Sequence, residues 1–210
     1  MKKYIKFVII LFFLFCPFSN FVFAEDGFVC EHGFHTFSDK QMNYGVGQYG
    51  NNRRYYYTVG FDSSFNSFID RAVDEWVHTS QNYPYVMTSI SIRKTNIKSN
   101  ALFEFHNKDC GYGCLGETHF YMYSREIHPN NNTLPSDYGW AKIYLSVNEM
   151  NASNISDLQK IGTTAHELGH AMGLSHQNSR QQSIMCQTSY GRVASRADAI
   201  DCNTINHIYG

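Results

Sequence analysis

The sequence has no surplus of charge of either sign. Its 210 residues carry 17 Lys and Arg against 18 Asp and Glu, a formal net charge of -1. That balance excludes a basic nucleic-acid binder and a polyanionic tail alike. Charged residues are also few, 17% against 43% hydrophobic, so wholesale disorder is excluded and a real core is feasible. No internal repeat is visible, and the length allows one domain, with or without a tail. Cys110 and Cys114 have no second close cysteine pair to complete a four-thiolate zinc site. What is plentiful is aromatic and imidazole: 16 Phe, 15 Tyr and 10 His. Aromatics favour strands and interfaces, and the histidines raise the question of metal.

The first residues have a targeting layout. Lys2, Lys3 and Lys6 precede an apolar run at 7–15, which Pro17, Ser19 and Asn20 break before Val22-Phe23-Ala24. This order predicts a secretory signal peptide over 1–24, cut after Ala24. The run is far shorter than the about 20 residues that cross a bilayer, so no stable membrane insertion is expected after cleavage. A lipoprotein signal does not fit, because bulky Phe15 precedes Cys16. The expected location is secreted or periplasmic. Cleavage removes three lysines and no acid, leaving 14 basic against 18 acidic residues.

The mature chain keeps Cys30, Cys110, Cys114, Cys186 and Cys202. An oxidising compartment makes disulfides plausible, and the odd count leaves at least one thiol over. The economical pairing is Cys110 with Cys114 and Cys186 with Cys202, with Cys30 unpaired.

Residues 25–54 are rich in Gly, Asn and polar side chains and predict a flexible leader or short pro-segment with little regular structure. Strands are predicted at 55–59, 89–93, 101–106, 118–123 and 141–146. Between the first two, Asp62, Ser63 and Ser64 can cap a helix whose Phe68, Ile69, Ala72, Val73, Trp76 and Val77 share one face. Residues 128–136 predict a surface loop. Ser156-Asp-Leu-Gln159 has the form of a capping box. It opens a helix carrying Leu158, Ile161, Ala165, Leu168 and Met172 on one side and stopping at Gly173. A last helix is predicted from near Ser195, with Ala197, Ile200 and Ile208 inward.

The informative segment is His166-Glu-Leu-Gly-His170-Ala-Met-Gly173-Leu-Ser-His176. His166 and His170 stand one helical turn apart on one face, so both imidazoles reach one ion. Gly173 lets the chain turn, and His176 returns as a third ligand. Three nitrogens and one water make an open, catalytic zinc site rather than a closed structural one. Glu167, beside the first ligand, reaches the zinc-bound water without ligating. Zinc brings that water's pKa to about 7 and polarises a carbonyl, and Glu167 moves the proton to the departing amine.

The pattern H-E-x-x-H-x-x-G-x-x-H resembles the metzincin zinc proteases. Ser183-Ile-Met185 looks like their methionine turn, and the Tyr209-Gly210 ending is similar to the matrixin branch. The resemblance implies an α+β zincin fold over 55–210: a twisted mixed sheet of about five strands, an active-site helix and a C-terminal helix. It also implies that Met185 floors the metal. Gln177, where matrixins usually have Ser, and Cys186-Gln187, where a Pro usually follows the methionine, depart from that branch.

Family members place a specificity-pocket wall or a hydroxyl near the intermediate about where Tyr190 falls. They also carry structural zinc and calcium. His106, Asp109 and His119 are candidates for such ions, but the strand at 141–146 has no histidine to complete a set, so one catalytic Zn2+ is expected and a second zinc or calcium is unsupported. A thiolate from Cys30 holding the enzyme latent is a further candidate, without the sequence context matrixin pro-segments use. His32, His35, His78, His128 and His207 read as ordinary polar residues. The function expected is a secreted, monomeric zinc endopeptidase acting on peptide or protein substrates. A zinc amide hydrolase on cell-wall or other non-protein substrates, and a silent binding module on the same fold, are the alternatives.

Overall fold

The computed structural model describes residues 30–31, 34–49, 51–130 and 132–210. The expected signal peptide and the side chain of Cys30 lie outside the described residues. Among those described, no helix is long and apolar enough to cross a membrane.

β1 (Cys30–Glu31) and β2 (Phe34–His35) form a small antiparallel pair. The main sheet holds β3 (Arg54–Val59), β4 (Ile92–Lys94), β5 (Phe103–Asn107), β6 (Gly116–Met122), β7 (Arg125–Ile127) and β8 (Trp140–Leu145). Its order is β4-β3-β5-β8-β6-β7. The first four of these are parallel, while β6 runs antiparallel to both β8 and β7. The expected mixed sheet is therefore present with six strands. β7 is the addition, a three-residue strand too short to carry an alternating signal. It pairs with β6 only at Phe120, Tyr121 and Met122. Among the described residues, the outer edge of 116–119 has no strand beside it.

Alternation along the strands sets the core. Phe103, Phe105, Phe120, Ala141, Ile143 and Leu145 are buried and face two long helices, α1 (Ser63–Val77) and α3 (Asp157–Ala171). Asp62 caps α1, its carboxylate accepting from the Phe65 N–H at 2.8 Å. Phe65, Ile69, Ala72, Val73 and Trp76 form the buried stripe of α1. The indole of Trp76 donates to the Ala165 carbonyl at 2.9 Å, joining α1 to α3. The capping box of Ser156 and Gln159 opens α3 as expected. Leu158 is an exception to the expected stripe, since it is 55% exposed. It lies in the first turn, before the helix passes under the sheet. Gly173 follows α3 at φ +99°, with the Lys40 carbonyl only 2.9 Å from where a Cβ would stand. Both the turn and the close approach require glycine.

Two helices, α2 (Val147–Ala152) and α4 (Ala199–Tyr209), differ from expectation. α2 is a six-residue turn unseen in the sequence pattern. α4 starts four residues later than predicted, because Asp198 rather than Ser195 is its cap. Asp198 accepts from Ile200 and Asp201, and Asp201 returns a carboxylate oxygen to the Asp198 N–H. This rotates Ile200 outward and turns Asp201, Cys202, Thr204 and Ile205 inward. Ala197 is buried ahead of the helix and Ile208 is half-buried.

For residues 34–49 the structure differs from the loose segment expected. Phe37, Met42 and Val46 are buried in the common core. Backbone bonds run from Phe37 N to Gly173 O and from Ser175 N to His35 O. His35 is fully buried, with its Nε2 3.1 Å from Asp201 Oδ1. The composition is polar, but its few apolar residues are spaced where the domain needs them.

Candidate metal centre

α3 carries His166 and His170 one turn apart, and the chain leaving Gly173 brings back His176. The geometry at two of the imidazoles assigns their protons. His166 Nδ1 lies 2.8 Å from the Ile184 carbonyl, and His170 Nδ1 lies 2.7 Å from the Leu174 carbonyl. A carbonyl only accepts, so Nδ1 holds the proton and Nε2 presents its lone pair. The Nε2 of His170 is 3.1 Å from those of both His166 and His176. Lone pairs facing at that distance repel unless a cation lies between them. Tetrahedral zinc with Zn–N of about 2.0–2.1 Å separates its nitrogens by about 3.3 Å. Burial, then the neighbouring imidazoles, holds His166 and His170 well below the ordinary histidine range. Both are neutral and ready to ligate. These residues fit zinc, and they are the one metal-capable cluster among the described residues.

The segment 183–185, expected as a methionine turn, packs against α3 and the chain after His176. Met185 is buried, and its carbonyl accepts from Gln177 N, directly after His176. A Cβ at Gly169 would overlap Met185 Sδ and stand 3.2 Å from the Trp76 ring. Glycine there lets α3 settle onto the sulfur. Asp201 secures the turn from below, accepting from the Ser183 hydroxyl at 2.6 Å and the Ile184 N–H at 2.9 Å.

Glu167 lies on the cleft side of α3. Burial pushes its carboxyl up to about 7, against the lowering effects of Thr118 and Arg192. Thr118 Oγ1 lies 2.9 Å from Glu167 Oε2. Thr118 and Arg192 are two residues of the site that the sequence reading missed. Thr118 had a signal, being the polar member of the inward set of β6, next to Phe120. Arg192 had none, since it sits alone in an irregular loop.

A cleft of about 450 Å³ contains His166, Glu167, His170 and His176. Its walls include Phe37, residues 113–118 at the open end of β6, and Gln187, Thr188, Ser189 and Arg192. Tyr190 is not among them. It is half-buried, in a one-turn helix after the methionine, and its carbonyl accepts from Gln181. Cys110 and Cys114 are disulfide-bonded, closing the loop that leads into the cleft wall. The expected Cys186–Cys202 bond is absent, and both thiols are free and buried. Cys202 faces Thr79 in the core while Cys186 stands beside Arg192, so the two point into different surroundings.

His106, Asp109 and His119 are not drawn into any metal-capable cluster among the described residues. His106 Nε2 is 2.9 Å from Glu104, and His119 lies between Glu117 at 2.8 Å and Glu126 at 2.6 Å. Asp109 accepts instead from the Gly111 N–H.

A mixed sheet over an active-site helix, with three convergent imidazoles above a methionine turn, defines the metzincin class of zinc metallopeptidase. The matrixin family matches residues 61–210, and the chain belongs to that family. No curated protein matches it in sequence. Among solved structures, one of myroilysin is 15% identical, at TM-score 0.46, over 78% of this chain and 95% of that one. Archaemetzincin from Methanopyrus kandleri is 12% identical, at TM-score 0.42, over 78% and 96%. Likenesses this distant carry no argument about substrate or mechanism.

Proposed function

We propose that the protein is an exported zinc endopeptidase in which Glu167 is the general base and His166, His170 and His176 hold the metal. The observation that carries this reading is the convergence of three Nε2 atoms beside a buried carboxyl in a cleft bordered by an open strand edge. Zinc bound there supplies a Lewis acid that acidifies water and polarises a carbonyl.

The protein's own groups do the rest. The carbonyls of Ile184 and Leu174 keep the protons of His166 and His170 on Nδ1, so both imidazoles stay oriented as ligands. Glu167, whose carboxyl is pushed up to about 7 by burial, accepts a proton from the attacking water and returns it to the leaving amine. The Thr118 hydroxyl fixes one carboxylate oxygen through this exchange. Met185 closes the floor without ligating. The edge of 116–119, with no strand beside it among the described residues, offers backbone N–H and C=O groups to an extended peptide, which favours a peptide over a non-peptide amide.

The test is zinc content of the 25–210 protein beside cleavage of casein and a quenched peptide library, with Glu167→Gln as control. One zinc per chain in both, with activity reduced at least about a thousandfold in the variant, is the expected result. A chain that binds no zinc, or a variant as active as the parent, would refute the assignment.

A further inference from the structure

Among the described residues the cleft wall carries one Lys or Arg side chain, that of Arg192, and nothing in the hydrolytic step requires it. Arg192 donates from Nη2 to the Thr163 hydroxyl at 2.8 Å and from Nη1 to the Cys186 carbonyl at 3.4 Å. Among the described residues no carboxylate lies within ion-pair reach of it. Glu167 acts on it only as a nearby charge. Burial, the largest influence, holds the guanidinium below its ordinary range, which marks a cation short of compensation. Two neutral acceptors leave most of its five N–H donors over. Thr163, Gln187, Thr188 and Ser189 share this cleft lining and can hydrogen-bond a guest beside Arg192. A desolvated charge on a cleft wall is unfavourable until a partner of opposite sign arrives.

We infer that Arg192 is a specificity-determining residue that receives a carboxylate of the substrate next to the scissile bond. A guanidinium offers a fork that fits a carboxylate with two parallel hydrogen bonds. That carboxylate has two sources: an Asp or Glu side chain, or the free C-terminus of a short peptide. The inference rests on the peptidase reading above, and the experiment separates the two.

The zinc-loaded 25–210 protein is assayed on quenched peptides of one scaffold. The residue on either side of the scissile bond is Asp, Asn, Glu or Gln, and each peptide is made with a free and an amidated C-terminus. The expected kcat/KM is at least about tenfold higher for an acidic residue than for its amide. Arg192→Gln should reduce that ratio to within about twofold, while Arg192→Lys retains much of it. Zinc content and thermal unfolding of both variants exclude misfolding as the cause. A preference that follows the free C-terminus and vanishes on amidation assigns the same arginine to a terminal carboxylate. Anisotropy titration of Glu167→Gln protein with the same peptides reads binding without turnover. Selective binding there, lost on adding Arg192→Gln, upholds the inference even if the parent cleaves nothing and the peptidase reading falls. Equal handling of acid and amide overturns it, as does a ratio unchanged by Arg192→Gln. A change confined to the pH profile also overturns it, by assigning Arg192 to Glu167 alone.

Discussion

Among the described residues, the histidines of the cleft and those on the outer face of the sheet are set apart by what their second nitrogens meet. In the cleft, His166 and His170 each give one nitrogen to a backbone carbonyl, which can only accept, and the other nitrogen is left as a lone pair. On the outer face of the sheet, His106 and His119 meet Glu104, Glu117 and Glu126. His119 has a carboxylate at each ring nitrogen, Glu117 at Nε2 and Glu126 at Nδ1. The first arrangement leaves a lone pair able to meet an ion, and the second occupies the ring with side-chain carboxylates. Burial sharpens the difference: the cleft pair is closed to solvent, whereas His119 is partly open to it.

Removing His170 should break the contrast most severely. In His170→Ala, zinc measured by plasma emission should fall from one per chain to near zero, with loss of all cleavage; second-order effects on stability follow from the lost metal. Retention of a full equivalent of zinc would put the ion elsewhere.

Asp201→Asn tests whether the floor beneath the metal depends on charge. The change weakens the acceptor for Ser183, Ile184 and His35 together, and about 3 kcal/mol of stability should be lost in urea unfolding. It also carries a pH signature. Burial pushes the Asp201 carboxyl up, but His35, the Asp198 N–H and Ser183 outweigh it and hold it below its usual range. A depressed carboxyl contributes stability that is complete above its unfolded pKa of about 3.9 and is lost as pH falls through the lower folded value. The parent should therefore lose more stability than the variant on acidification below about pH 4. Parallel acid curves for the two would refute the assignment.

Phe37→Ala probes whether the segment ahead of residue 55 is part of the domain. The side chain is buried and its ring centroid lies 5.6 Å from that of His170. A loss of about 3 kcal/mol is expected, read as a Tm lower by roughly 10 °C. An unchanged Tm would mean the segment is dispensable. The smallest effect belongs to His119→Ala. Zinc should stay at one per chain, and stability should change by less than about 1 kcal/mol, as for other partly exposed ion pairs.

The helices α1 and α3, the parallel strands and the convergence of His166, His170 and His176 were legible because each rests on local periodicity or a fixed spacing. Asp62 and the Ser156 capping box announced themselves in the same way. What escaped depends on contacts distant in sequence. Asp201 faces inward because the methionine turn needs an acceptor there, and no periodicity in α4 encodes that. Arg192 belongs to the cleft only because its loop folds back past Cys186. Phe37, Met42 and Val46 looked like scattered apolar residues in a polar leader, and only the folded domain shows what they fill. The Cys186–Cys202 pairing failed for a related reason: counting thiols says nothing about the directions they face.

The open stretch of β6 also limits what the cleft can hold. Four residues at about 3.3 Å each make a rail of about 13 Å, beyond which β7 occupies the edge. Under the proposed function, a chain lying along that rail would give up its own secondary structure for about four residues. Native helices and inner strands would then be shielded by their own hydrogen bonds. The places open to cleavage would be tails, linkers and loops able to straighten, so a target's local unfolding, as much as its side chains, would govern how fast it is cut.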